Sequence, residues 1–256
     1  MRQNWVLQRF SEIALTFALM TRLPRPKLTL TEHIPVGAYV WAFPLAGLAV
    51  GALSGIALWL ARQGGASPSL AALAALAASL IATGALHEDG LADFWDGIGG
   101  GRTRERKLEI MRDSAIGTFG AVALFLSLAI RWAALADIAD PGAAIGALVT
   151  AHTAGRGLLA LIPEYWRPAR RDGLAAGMGG DWVRSAAATL LTIAIAALFS
   201  PPMLALAALV ASAAAMLAVG AIAGRFLGGF TGDVLGAAEQ SAEALVLAAA
   251  SVLLVR

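Results

Sequence analysis

"SAAATLLTIAIAALFSPPMLALAALVASAAAMLAVGAIA", residues 185 to 223, runs for 39 residues without one charged side chain. One helix crosses a bilayer in roughly 20 apolar residues, so this stretch is too long for a single span. It divides at "FSPPM", residues 199–203, where two consecutive prolines remove backbone donors and end a helix. The rest of the chain has the same character. Of its 256 residues 59% are hydrophobic and 14% charged, with a mean hydropathy of +0.73, against about 25% charged residues in a soluble domain. A water-exposed surface cannot be built from this composition. The chain reads as one integral membrane domain over residues 1–256: an all-α, polytopic bundle. With no cysteine, disulfides and thiolate metal sites are excluded, and metal ligands are left to oxygen and imidazole.

The remaining apolar runs are Gly37–Leu60, Pro68–Leu86, Ala115–Ala136, Gly142–Pro163 and a last one at Ala244–Val255. The last extends towards Ala237 if Glu239 and Glu243 lie inside. About seven transmembrane helices are expected. Residues 1–27 place Trp5, Phe10, Ala14 and Phe17 on neighbouring helical positions with Arg9 and Glu12 interspersed, which predicts an amphipathic helix lying in the interface. No small-residue cleavage pattern follows it. Fifteen of the nineteen basic residues fall on alternate connections: the N-terminal segment, residues 87–114, the loop 164–184 and the segment 224–240 before the last helix. Lys and Arg are retained on the cytoplasmic side, so the N-terminus and every polar, Gly-rich loop are expected there. A transporter shows polar groups at midplane, open to both sides. Chemistry gathered at one face fits an enzyme serving cytoplasmic substrates.

The most acidic of those loops reads "HEDGLADFWDGIGGG", 87–101. If it is helical, Asp89, Asp93 and Asp96 stand at i, i+4 and i+7, within an arc of about 60°. Three bare carboxylates on one face repel one another, and a cation among them relieves this. Oxygen-only ligands favour Mg²⁺, with Mn²⁺ as the substitute. Mg²⁺ completes its octahedron with phosphate oxygens, so a phosphorylated substrate is expected. Gly99 and Gly100 would let phosphates approach the backbone. The competing interpretation is a solvated charged loop, which requires neither the shared face nor the glycines. Asp113 either caps the following helix or joins the metal. In "GGFTGD", 228–233, glycines surround Thr231 and Asp233 where a helix begins, an arrangement suited to an anion; Asp233 repels that anion unless a metal lies between. Close packing through small residues explains the same glycines.

Ionisable groups inside spans usually mark function. Here they are Arg131, His152, Arg156, Glu239 and Glu243. Arg156 is a candidate phosphate clamp. Arg131 either pairs with a buried carboxylate such as Glu239 or meets substrate, and His152 reads as hydrogen-bonded structure.

The strings "HEDGLADFWDG", "RERKLEIMRDSAIGTFG" and "GGFTGDVLGAAEQ", with "TRLPRP" and "FPLAG" nearer the start, resemble the cobalamin synthase family. The likeness runs in order from about residue 10 to residue 245. It departs at Ala115, where the family pattern commonly has Arg, and at Phe94–Trp95, which replace a smaller pair. The resemblance implies an adenosylcobinamide-GDP ribazoletransferase of the bacterial inner membrane. Such enzymes join adenosylcobinamide-GDP to α-ribazole or its 5′-phosphate and release GMP, using Mg²⁺. On that footing Asp89, Asp93 and Asp96 are expected metal ligands, with Asp233 and Asp113 as further candidates. Glu88 is a candidate general base, with His87 or a metal-bound carboxylate such as Asp89 as alternatives. Arg102, Arg104 and Arg156 are candidates for the diphosphate. A homo-oligomer, or an assembly with other enzymes of cobalamin synthesis, is an open expectation, besides the surrounding lipid; no nucleic-acid partner is expected. The Asp-Gly-x-x-Ala start also resembles CDP-alcohol phosphotransferases, so a membrane phosphotransferase acting on a lipid is the alternative.

Overall fold

The spans enter as helices with prolines where a backbone donor is not needed. In the computed structural model, which describes residues 5–24 and 34–254, helix α1 covers Trp5–Met20, α2 Phe43–Gln63, α3 Pro68–Thr83, α4 Leu86–Gly100 and α5 Arg104–Ile110. They are followed by α6 Thr118–Asp137, α7 Pro141–Gly157, a short α8 Ile162–Tyr165, α9 Trp182–Phe199, α10 Pro202–Leu227 and α11 Gly232–Leu254. Proline stands in the first turn of α2, α3, α7 and α10, where the missing N–H would have no helical partner. Ser67, Asp140 and Asp181 accept backbone N–H bonds as caps of α3, α7 and α9. Among the described residues six helical stretches are long and apolar enough to cross a membrane. The expected break at Ser200–Pro202 separates α9 from α10.

The second expected span behaves differently. α3 has 16 residues, about 24 Å of helix and short of the ~30 Å hydrocarbon core. It ends at Gly84 and Ala85, with φ of +66° and +57°, and the chain leaves at 88° as α4. Ala85 is the one non-glycine at positive φ among the described residues, a strained position held by its surroundings. The bend lays α4 across one end of the bundle. α3, down to this bend, stands where the seventh crossing was expected, and α4 lies past it at the end of the bundle.

α7 is the most enclosed span, packed by α2, α9, α10 and α11. Two apolar clusters divide the interior. One joins Leu58, Leu76, Leu135, Leu148 and Leu247 near the connections 64–67, 138–140 and 200–201. The other gathers Met20, Phe43, Phe94, Leu159, Met178 and Phe230 beneath α4. α1 is amphipathic as expected, with Glu12 and Thr16 buried and Trp5, Val6, Leu7 and Phe10 exposed. Glu12 is held by Arg9 and by the indole N–H of Trp41, each at 2.6 Å. Residues 1–4 and 25–27 of the expected interfacial segment, with Arg2, Arg25 and Lys27, lie outside the described residues.

The last helix runs further back than the apolar count indicated. α11 begins at Gly232, so Asp233, Glu239 and Glu243 all lie within it. It carries the two glutamates because Arg131 on α6 and Arg156 on α7 supply their counter-charges.

Candidate active site

Close backbone contact between α4 and α11 positions the acids. A Cβ on Gly90 would meet the Asp233 Cα at 3.1 Å, and one on Gly236 would meet the His87 carbonyl at 2.9 Å. Only small residues permit this approach, and it sets the carboxylates of α4 beside that of α11. Asp89 and Asp233 line a cavity of about 220 Å³ with His87. Asp93 lies half-buried within the field of Asp89 and Asp233. Outside the spans, on α4, its carboxyl is pushed up to about 7, first by burial and then by repulsion from Asp89, Asp233 and Asp96, with Arg170 opposing. Crowded acids with a raised proton affinity are a mark of functional sites.

Asp96 departs from its expected role. Its two oxygens accept the N–H groups of Gly117 at 2.6 Å and Gly120 at 2.8 Å, at the start of α6. A helix N-terminus supplies partial positive charge and unpaired donors, so this carboxylate is neutralised by the fold. Asp113, offered as that cap, is exposed and instead accepts from the Ala115 N–H. Among the described residues the aspartates do not converge within 4.8 Å as a three-ligand cage. Mg²⁺ does not need one, since it is usually held by one or two carboxylates and completed by water and phosphate. Asp89, Asp93 and Asp233 fit that donor set; Asp96 is drawn to α6.

Two segments close the rim. The loop after α8 pairs with the turn before α11: the Ala169 N–H donates to the Phe230 carbonyl at 2.8 Å, and the Phe230 N–H to that of Arg167 at 3.0 Å. Gly229, at φ +156°, lies so close that a Cβ would be 2.1 Å from the Arg167 oxygen. Gly229 of "GGFTGD" therefore serves this pairing, whereas a Cβ on Gly232 would meet nothing within 4 Å. Thr231 is buried, donates to Asp233 at 3.1 Å and accepts the Val234 N–H at 3.4 Å, so its hydroxyl is committed to the start of α11. Arg104 is likewise a staple, donating to the carbonyls of Leu227 and Ala169, each at 2.7 Å. Gly99, Gly100 and Arg102 are all exposed, and Gly99 has its Cβ side against the Phe119 ring.

The loop pairing delivers a residue the sequence did not single out. Arg170 reaches within 3.7 Å of Asp233, and its Nε is buried without a hydrogen-bond partner. It is the guanidinium nearest the aspartates, and one among several arginines on a polar loop carries no local signal of that placement.

Deeper in the bundle lies a second charged layer. Arg131, on α6, bonds Glu243 at 2.8 Å and Glu88 at 3.2 Å. Arg156, on α7, lies 2.5 Å from Glu239 and 2.6 Å from Glu243, and His152 also contacts Glu243. Arg131 thus pairs with a buried carboxylate as one alternative held, although the partner is Glu243 rather than Glu239. Arg156 is 1% exposed; its charge is consumed here and does not reach a phosphate. Glu88, 7% exposed and tied to Arg131, is withdrawn from the cavity and unsuited to act as base. His152, Glu239 and Glu243 bring ligand atoms within 4.8 Å of one another, but Arg156 fills the place an ion would take. His87 joins this layer through Arg156, at 3.4 Å, while lining the cavity.

Residues 12–251 match the family described as cobalamin-5-phosphate synthase. The chain is 45% identical over 247 residues to the adenosylcobinamide-GDP ribazoletransferase of Mesorhizobium japonicum, covering 96% of this chain and 95% of that one. It is 44% identical to the protein of that name from Bradyrhizobium diazoefficiens, over 94% and 93% of the two chains. With the one from Ralstonia nicotianae it shares 40% identity over 91% and 92%. No solved structure matches.

Proposed function

This chain belongs to the cobalamin-5-phosphate synthase family, and from that membership we propose how its acidic end performs the family's chemistry. The activity is that of an adenosylcobinamide-GDP ribazoletransferase. A ribose hydroxyl of α-ribazole, or of its 5′-phosphate, attacks the phosphorus bearing the cobinamide arm. A new P–O bond forms there, the bridging P–O bond of the diphosphate breaks, and GMP leaves with the bridging oxygen. The observation that carries this proposal is that Asp89 on α4 and Asp233 on α11 line one cavity, with Asp93 within their field and Arg170 3.7 Å from Asp233.

Phosphoryl transfer asks of a protein mainly position and opposing charge. Asp89, Asp93 and Asp233 would hold Mg²⁺, which supplies positive charge to the diphosphate oxygens. Arg170, whose Nη2 donates to the Leu108 carbonyl at 3.3 Å, offers its positive charge to the departing GMP phosphate. The hydroxyl proton passes to a base that lines the cavity, His87 or Asp89, and not to Glu88. The buried layer of Arg131, Arg156 and their glutamates anchors α4 against α6, α7 and α11, so that Asp89 keeps its place. The end bearing the site faces the cytoplasm of a bacterial inner membrane, in keeping with the basic residues gathered there.

The test is direct. The purified protein, given adenosylcobinamide-GDP, α-ribazole and Mg²⁺, should release GMP and form the joined cobamide. Chelating the metal should stop the reaction, and adding Mg²⁺ back should restore it. No GMP from wild-type protein with both substrates present would remove the proposal.

A further inference from the structure

We propose that the 220 Å³ cavity is the subsite for the base of the acceptor nucleoside, a flat, apolar benzimidazole ring. This rests on the transferase activity above and assigns one part of one substrate to one place. Apart from His87, Asp89 and Asp233, the walls are apolar: Met20 from the end of α1, Phe43 from the start of α2, Leu159 after α7, Met178 from the loop before α9, and Leu235 of α11. All five are at least 95% buried and form a packed floor, while Leu19, Leu86 and Asp89 line the side where the pocket opens.

Size and chemistry select the occupant. Sites for whole drug-sized ligands measure roughly 300–1,000 Å³; this cavity is smaller and takes a ring system, not a corrinoid or a complete nucleotide. Guanine is the other ring the reaction brings. Its edge carries several donors and acceptors, and of the lining side chains only His87, Asp89 and Asp233 could meet them. The two aspartates are the ones assigned to the metal, and the other walls offer no partner, so part of that edge would be buried unpaired at a cost. A benzimidazole presents mostly carbon, which suits an aromatic ring and two adaptable thioethers. No Lys or Arg is among the lining residues, so the interior repels phosphate while tolerating a neutral ring.

The placement also orients the reaction. Asp233 lines the cavity with Asp89, while its Oδ2 lies 3.7 Å from Arg170, which is not part of the lining. A base seated among Met20, Phe43 and Met178 directs its ribose to the carboxylates. The diphosphate then lies beyond them, on the Arg170 side. Nucleophile and leaving group thereby approach from opposite flanks of the acid pair, as in-line displacement requires.

Two measurements test this on protein that turns over. With wild type, free benzimidazole should inhibit competitively against α-ribazole and not against adenosylcobinamide-GDP. Met178→Trp, which fills the cavity, should raise the KM for α-ribazole by about tenfold or more and leave that for adenosylcobinamide-GDP within about twofold. Competition by benzimidazole against adenosylcobinamide-GDP, or no inhibition at all, overturns the assignment. So does a Met178→Trp protein whose two KM values rise together or stay unchanged. If that variant fails to insert, the inhibition pattern of wild type decides alone. Absence of GMP release from wild type would instead count against the transferase activity itself.

Discussion

Glu88 and Asp89 are consecutive residues of one helix, and the structure treats them oppositely. Glu88 turns into the bundle, meets Arg131 at 3.2 Å and is nearly inaccessible. Asp89 lines the cavity with Asp233, and Asp93 lies in their field, where three acids face Arg170 and the more distant Arg112. α11 repeats the division: Asp233 stands at the mouth, while Glu239 and Glu243 sit in the interior against Arg156 and Arg131. Inside, negative charge is balanced by the fold and serves to position helices. At the mouth it is left unbalanced, and a folded chain retains such repulsion where a ligand is to relieve it.

The sharpest way to break that contrast is to remove one member from each set. Asp89→Ala should lower kcat by about 10²–10³-fold, with insertion and thermal unfolding unchanged, as read by GMP release and circular dichroism. Near-normal turnover would remove the metal argument. Arg131→Met should do the reverse. It leaves Glu88 and Glu243 buried and under-compensated, so stability should fall by about 3–5 kcal/mol, seen as a lowered Tm or as failure to insert. Arg170→Ala should raise the KM for adenosylcobinamide-GDP by about tenfold and leave the KM for α-ribazole unchanged.

Smaller effects refine the boundary between the two sets. Asp96→Asn should cost about 1 kcal/mol of stability through the weakened start of α6, and the Mg²⁺ titration of activity should not shift; a large loss of Mg²⁺ response would return Asp96 to the ligands. The pH response comes from Asp93. Its proton affinity in the fold, about 7, exceeds the ordinary carboxylate value, so the folded state binds the proton more tightly than the unfolded chain does. Without metal, stability should therefore fall as pH rises from about 4 to 7 and then level off. Mg²⁺ affinity should rise over the same interval, because the ion and the proton compete for one carboxylate. Asp93→Asn should flatten both curves.

How far the sequence foretold this follows from range. Spans, the break at Ser200–Pro202 and the helical acidic segment depend on local composition, proline and periodicity, and were legible. So was the set of ionisable residues inside spans, because any charge in an apolar run stands out. Their partners were not. Periodicity places Asp89, Asp93 and Asp96 on one face, yet which of them stays open and which meets α6 depends on where Gly117 and Gly120 come to lie, more than twenty residues on. Arg156 near a span end resembles a phosphate clamp until Glu239 and Glu243 are found against it. Arg170 resembles any loop arginine until the pairing of residues 167–169 with Phe230 turns it towards Asp233.

Composition and pattern alone settled that this chain is a helical bundle in lipid, with acids and glycines gathered at one end, since the cost of exposing apolar surface or burying a charge is fixed residue by residue. Only the tertiary structure decided which acids are neutralised within and which stay open at the mouth. That choice rests on distances of a few ångströms between helices remote in the chain, over which a carboxylate either finds a guanidinium or an N–H or is left to bind something else.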